Sequence, residues 1–313
     1  MRVVVTGGAG FIGGNLVRAL LDTPEVTSVA VVDDLSTGSR DNLDDVEADL
    51  HVGSILDTDL LDEVIRDTDA VVHLAARPSV PRSLADPLAT HHANATGSIE
   101  VLEATRRAGG PHVVVASSSS VYGANPTLPK SEDLRTEPLS PYAVSKLATE
   151  TYALAYGYSF DLPVLALRFF NVFGPLQSAG HAYAAVIPVF IDAAMRGQPL
   201  PIDGDGEQTR DFTYVGSVAA VIVQAVLRRT TSQEPVNLAF GSRRTLLEMI
   251  AVLEDVMGVE VARQHRPPRP ADVRHSQADQ SRLRALFPDV DPVGFRDGLE
   301  RTVAWFRTLE AYR

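Results

Sequence analysis

Residues 2–14 read RVVVTGGAGFIGG, a β-branched run Arg2–Thr6 followed by Gly7, Gly10 and Gly13 in the spacing GxxGxxG. The run is strand-forming, the glycines make a tight turn, and Leu16, Ala19 and Leu20 then recur at helical spacing. A glycine turn between strand and helix lets the backbone approach an anion closely, and the helix offers its first unpaired N–H groups to that charge. Asp33 stands at the end of the next apolar run, 20 residues beyond Gly13. An acid at that distance is placed for the ribose of a dinucleotide. Asp34 follows it, and the two acids repel a 2′-phosphate. The stretch predicts NAD rather than NADP.

The same alternation continues outward. Short apolar runs occur at Ser28–Val32, Ala70–Leu74, His112–Ala116 and Val164–Arg168, with helical spacing between them, as at Leu60, Leu61, Val64 and Ile65. Apolar strands alternating with helices predict an α/β fold, a doubly wound parallel (Rossmann) sheet covered on both faces. After Arg168 the pattern breaks, and 171–210 is rich in glycine, proline and polar turns. The runs VGSVAAVIVQAVLRR and PVNLAF then resume the earlier style. A last helix is predicted from Thr245 as N-cap to Gly258 as stop, and RPPRP at 266–270 reads as a stiff linker. The expected organisation is an NAD-binding Rossmann domain over 1–170, to which 215–241 returns. A smaller C-terminal substrate-binding domain takes 171–214 and 242–313.

Composition excludes several classes. Of 313 residues, 45% are hydrophobic and 22% charged, which rules against a disordered chain or a fibre. The net charge of -12 has the wrong sign for a nucleic-acid coat or an anionic-membrane binder, so no nucleic acid and no membrane is expected as partner. There is no cysteine, hence no disulfide, thiolate nucleophile or zinc–thiolate site, and no metal is expected. The apolar stretch VAAVIVQAVL falls short of the roughly 20 residues a span needs and contains Gln224. The N-terminus lacks the pattern of a signal peptide, so a cytoplasmic location is expected.

A second constellation carries chemistry. Ser140 and Pro141 open a helix as N-cap and first residue, and Tyr142 and Lys146 share a face of it four residues apart. A free tyrosine titrates near pH 10, and an adjacent ammonium is expected to lower that by roughly 1–3 units. The serine run Ser117–Ser120 follows the fifth strand, at the carboxyl end where such sheets bind ligands. His73, in the fourth strand, reads as a satisfied core histidine.

The chain resembles the extended short-chain dehydrogenase/reductase superfamily and, within it, the UDP-hexose 4-epimerases. The matching pieces are TGGAGFIG, VVDDLSTG, HLAA, SVPRS, SSSSVYG, SPYAVSK, RFFNVFGP, YAAVIP, GDGEQTRDFTYV and DVRHS, spread over nearly the whole chain. The resemblance implies an NAD-dependent isomerase of nucleotide-sugar metabolism, acting on UDP-glucose/UDP-galactose or the N-acetyl forms, and a homodimer formed through helices around 95–108 and 142–157. It implies that Ser118 bonds the substrate 4-oxygen, with Ser119 the alternative. Tyr142 is then the acid–base tyrosine and Lys146 the lysine on the nicotinamide ribose. The cofactor is implied to lie against Gly7, Gly10, Phe11, Ile12, Gly13, Asp33, Ser54, Ile55, Leu74, Ala75, Ala76, Asn94 and Phe170. The substrate is implied to meet Asn171, Val186, Arg210, Arg269, Asp272 and Ser276, with Val186 at the uracil, both arginines on the diphosphate and Asp272 near the uridine ribose. Ser276 matches a position that is small where N-acetylated sugars are accepted.

Plain structural alternatives stand beside these roles: Asn94 as a helix-surface contact, Phe170 as core, Arg210 paired with Asp211, Ser276 as an exposed turn residue. Two departures stand out. Ser54 replaces the usual acid after the third strand, and GPLQSA, with Leu176 and Ser178, replaces GPRQDP. Rival activities need other residues. A 4,6-dehydratase of this kind carries Asp-Glu after the Ser118 equivalent, and a UDP-glucuronate decarboxylase keeps a glutamate at Ser120; Ser119 and Ser120 stand there instead. A UDP-glucuronate 4-epimerase and a non-catalytic NAD-sensing protein remain as alternatives.

Overall fold

The computed structural model describes residues 1–180, 184–268 and 273–312. The strands are β1 (Arg2–Thr6), β2 (Ser28–Asp33), β3 (Asp49–Val52), β4 (Ala70–His73), β5 (His112–Ser118) and β6 (Val164–Phe169). They continue with β7 (Val172–Phe173), β8 (Leu200–Asp203), β9 (Thr209–Asp211), β10 (Thr213–Tyr214), β11 (Val236–Leu238), β12 (Arg243–Thr245) and β13 (Arg263–Arg266). The helices are α1 (Phe11–Leu21), α2 (Thr58–Ile65), α3 (Val80–Ala85), α4 (Pro87–His91), α5 (Gly97–Arg107) and α6 (Pro141–Phe160). Beyond these come α7 (Val186–Met195), α8 (Val215–Arg228), α9 (Leu246–Met257), α10 (Ser281–Leu286) and α11 (Phe295–Phe306).

The main sheet has the order β11-β6-β5-β4-β1-β2-β3, and all its pairings are parallel. It is the doubly wound α/β sheet expected from the strand–helix alternation. Val3, Val5, Val31, Val72 and Val114 pack toward α1 and α8, while Val4, Val32 and Val71 pack toward Leu61, Ile65 and Val101 of α2 and α5. Alternate residues of one strand thus serve opposite faces, as the period of two requires. The chain order reverses between β1 and β4, so ligands are expected beyond the carboxyl ends of those strands.

A second core gathers Phe173, Phe190, Ile191, Phe212, Leu246, Ile250, Phe295, Leu299 and Phe306. It unites α7, α9 and α11 with the short pairs β7–β10, β9–β12 and β8–β13. Leu283, Phe287 and Val290, late in the chain, pack instead into the first core.

Three local expectations change. The helix from Thr245 is not the last, since α10 and α11 follow it; its ends are as the sequence predicts, a capping box between Thr245 and Glu248 and a left-handed Gly258 (φ 70°). The stretch 171–210 holds α7 as well as turns. The segment RPPRP is not all linker, because Arg266 ends β13, paired to β8, while Arg269 and Pro270 lie outside the described residues. Among the described residues no helix is long and apolar enough to cross a membrane, and no His/Asp/Glu group is arranged to hold a metal ion.

Candidate active site

A cleft of about 1280 Å³ lies at the carboxyl ends of β1, β2, β4 and β5. One end is the glycine turn. Gly7 has φ +75°, and a Cβ there would sit 2.7 Å from Ala75 N; a Cβ on Gly13 would sit 2.1 Å from Gly7 O. Only glycine allows that approach, and the result is a bare backbone cradle. No side chain caps α1, so its first N–H groups are left for an anion. Phe11, Ile12, Ser54, Ile55, Leu74, Ala75 and Ala76 line the same end. Asp33 is 8% exposed and lines the cleft; its carboxylate accepts from Ala9 N (3.0 Å) and Leu35 N (2.9 Å). Burial raises its pKa, the two N–H bonds oppose the rise, and Asp34 adds to it. Cradle, open helix start and paired acids fit a dinucleotide without a 2′-phosphate.

The other end carries the reactive side chains. β5 runs through Ser117 to Ser118, one residue pair further than the apolar run suggests, and the Ser118 hydroxyl accepts from Ser120 N (3.2 Å) to cap the next turn. Ser140 caps α6 by accepting from Ala143 N (3.2 Å), with Pro141 in its first turn. Ser118, Ser119, Tyr142 and Lys146 all line the cleft. The Ser118 hydroxyl faces the Tyr142 phenol across the cleft lining.

The electrostatics differ from the sequence expectation. Burial raises the Tyr142 pKa above its ordinary value, and only the Ser118 hydroxyl opposes it; the neighbouring lysine does not lower it. Lys146 is itself 4% exposed and is pulled down to about 8 by burial. Both groups leave water together, and burial penalises the charged form of each.

The rest of α6 is clamped beneath these residues. One turn beyond Lys146, Glu150 pairs with Arg168 (2.7 Å) and accepts from Ser117 Oγ (2.6 Å), all three groups buried. His73 is a core histidine, as its sequence context suggests. Its Nδ1 meets Thr6 Oγ1 (2.7 Å), its Nε2 meets Ser98 Oγ (2.9 Å), and burial lowers its pKa to about 3.

Several implied contacts fall elsewhere. Asn94 is buried in a π-turn (His92–Thr96) between α4 and α5, and it does not line the cleft. Its amide accepts from Arg77 N (2.6 Å) and donates to Arg77 O (3.2 Å) and Ser145 Oγ (2.9 Å). It braces the loop after β4 against α6. Phe170 is core, fully buried and tilted against Tyr122; its neighbour Phe169 lines the cleft. Phe169 ends β6 and Phe170 follows it, so the two side chains go to different sides of the chain.

Asn171, Arg210 and Ser276 do line the cleft. Arg210 donates to Thr209 O (2.9 Å) and Arg274 O (3.1 Å), whereas the Asp211 carboxylate turns to Ala278 N, so no Arg210–Asp211 pair forms. Ser276 is 9% exposed, not an exposed turn residue. Val186 lines a second cavity of about 360 Å³, which shares Asn171, Gln177 and Arg210 with the cleft. Arg269 and Asp272 lie outside the described residues.

Sequence reasoning missed Arg77, Arg82, Lys130 and Gln177, all in the cleft wall. SVPRS and GPLQSA carried the signal for Arg82 and Gln177. Arg77 and Lys130 sit in loops with no periodicity to mark them.

Fold and cleft together define a dinucleotide-dependent enzyme of the short-chain dehydrogenase architecture. The chain belongs to the NAD dependent epimerase/dehydratase family, whose pattern matches residues 3–239. UDP-glucose 4-epimerase of Mycolicibacterium smegmatis is 36% identical over 313 residues, covering 98% of this chain and 99% of the relative. The solved UDP-N-acetylglucosamine 4-epimerase from Methanobrevibacter ruminantium M1, in complex with UDP-N-acetylmuramic acid, matches with a TM-score of 0.92 at 38% identity, over 98% of each chain. A dTDP-glucose 4,6-dehydratase of Streptomyces niveus is 35% identical over 325 residues, covering 100% of this chain and 94% of the relative. The chain is an NAD-dependent enzyme of this family.

Proposed function

We propose that this enzyme is a UDP-sugar 4-epimerase, inverting carbon 4 of a UDP-hexose by transient oxidation. One observation carries the reading: Ser118, Tyr142 and Lys146 converge in the cleft, and Ser118 is followed by Ser119 and Ser120 rather than by acids. Elimination of water needs a proton donor and a base beside the sugar, and that pair is missing.

Bound NAD supplies the acceptor that takes hydride from carbon 4 and gives it back. Tyr142 takes the 4-hydroxyl proton and returns it to the 4-keto oxygen. Ser118 hydrogen-bonds that oxygen throughout. Lys146 holds the cofactor ribose with its charged ammonium. Arg210, with Arg269, grips the diphosphate, and the second cavity takes the base against Val186. That grip survives rotation of the keto-sugar, so it is uniform binding. Asn171 and Ser276 face the sugar.

The Lys146 cation should set an alkaline limit. A lysine held below its ordinary pKa carries its charge below that value and loses it as pH rises through it. The rate kcat is therefore expected to fall as pH rises through about 8. A pH profile of Lys146→Arg, whose charge does not titrate there, is expected to lack that limb. An unchanged limb would assign it to another group.

Ser276 is the expected size filter. A 2-acetamido group sweeps the cleft wall as the sugar turns, and overlap with a large side chain costs about 1–3 kcal/mol. Wild-type protein is expected to epimerise both UDP-glucose and UDP-N-acetylglucosamine, and Ser276→Tyr to lose the second by roughly tenfold or more while keeping the first. Chromatographic separation of the products of both proteins, with UDP-glucuronate as third substrate, tests this. Conversion of UDP-glucuronate alone would favour the uronate epimerase, and no turnover the NAD-sensing protein.

Two further properties fit this reading. Val144, Tyr152, Tyr158 and Phe160 are exposed on α6, with Leu84 and Leu88 exposed on α3 and α4, which pack against α6, and this supports a homodimer through α5 and α6. A cytoplasmic location suits an enzyme that draws on nucleotide sugars and NAD. The division into a Rossmann domain (1–170 with 215–241) and a substrate domain is supported by the two cores, with Leu283, Phe287 and Val290 of the second segment packing into the first core.

A further inference from the structure

One wall of the cleft is a strap, residues 273–279, which brings Val273 and Ser276 to the cavity. It is fastened on two sides. Thr209 of β9 donates to Arg274 O (3.0 Å) and accepts from Ser276 N (3.0 Å). Further on, Lys130 donates from its backbone to Gln277 O (2.7 Å) and accepts from Asp279 N (2.9 Å). Between these fastenings lies Ala278, whose N–H is taken by the Asp211 carboxylate, with Oδ2 at 3.0 Å.

Asp211 is completely buried at the end of β9. Its other oxygen, Oδ1, has no hydrogen-bond partner among the described residues, although the Gly241 and Ser242 backbone N–H groups face the carboxylate. Burying an acid is costly unless donors surround it, and burial pushes this one up to about 6. The strap repays part of the cost through a charge-assisted hydrogen bond from Ala278 N–H, the largest of the influences that oppose the rise. Ser276 lies two residues before Ala278, so a shift at one is felt at the other.

We propose that Asp211 is a positioning residue for the substrate: by fastening Ala278 it fixes where Val273 and Ser276 stand in the cleft wall, and so sets affinity for the sugar end of the UDP-sugar. It touches neither substrate nor cofactor. The proposal rests on the epimerase reading for the identity of the ligand.

The test is steady-state kinetics of the holoenzyme with UDP-glucose, together with calorimetric binding. Asp211→Ala leaves the Ala278 N–H buried and unpaired, and is expected to raise KM about tenfold with kcat within about threefold of wild type. Asp211→Asn keeps an oxygen for Ala278 and is expected to stay within about threefold of the wild-type KM. A fall in kcat at constant KM, or equal KM values for the two variants, would overturn the proposal. Should Asp211→Ala not fold, hydrogen exchange of Asp211→Asn decides. Faster exchange confined to 273–279 is expected, and wild-type exchange there would overturn it. A wild type that binds UDP-glucose without epimerising it would defeat the functional reading alone, and the affinity ratio would still judge Asp211.

Discussion

Tyr142→Phe is expected to lower kcat by about 10²–10⁴ while leaving affinity for the UDP-sugar within about threefold. The substitution removes one atom, the phenolic oxygen, and keeps the ring. On the proposed reading that oxygen takes the 4-hydroxyl proton, and the Ser118 hydroxyl opposes the rise of its pKa on burial. In that reading Lys146 cannot replace the phenol, because its ammonium holds the ribose. On the same reading Arg210 grips the diphosphate, and that grip does not depend on the phenol. Rapid-mixing and steady-state rates of the variant, with a binding isotherm for UDP, check this. A near-normal rate would remove Tyr142 from the chemistry.

The second large effect is at the cofactor. Gly13→Ala would place a Cβ 2.1 Å from Gly7 O and 2.6 Å from Gly8 Cα. Both are backbone atoms, so no rotamer change relieves the clash. The glycine turn must shift, and it is this turn that offers the pyrophosphate its approach. An overpacked site typically costs about 1–3 kcal/mol, and about 10–100-fold in affinity if the cost falls on the bound state. Gly13→Ala is expected to purify with little or no NAD, measured by absorbance of the acid-released dinucleotide. Normal NAD content would show that the turn accommodates the methyl and is not the cradle. By contrast Gly258, with no atom within 4 Å of an added Cβ, serves only as the left-handed end of α9.

The sequence is most legible where a period or a cap expresses itself locally. The strand–turn–helix at the N-terminus, the Ser140-Pro141 start of α6 and the Thr245 cap each rest on residues within a few positions of one another. Parallel strands buried on both faces announce themselves by apolar runs, and so the sheet follows. What the sequence hides are relations between distant segments. Asn94 reads as a cofactor contact, yet its amide is spent on Arg77 and Ser145, one of them 51 residues away. Phe169 and Phe170 are adjacent and chemically identical, yet Phe169, the last residue of β6, meets the cleft while Phe170, just beyond it, is core. Asp211 looks like a partner for Arg210, but adjacent strand residues face opposite ways. The pKa of Tyr142 shows the same limit: a spacing of four predicts a helpful ammonium, whereas the balance is set by burial, which no spacing reveals.

The central claim is that one enzyme removes and returns the same hydrogen at carbon 4. It is tested most directly with UDP-glucose carrying deuterium at carbon 4, incubated with purified protein without added NAD, the product being read by NMR and mass spectrometry. The account predicts UDP-galactose with the deuterium still at carbon 4. Deuterium lost to solvent, or moved to another carbon in a dehydrated product, would contradict it.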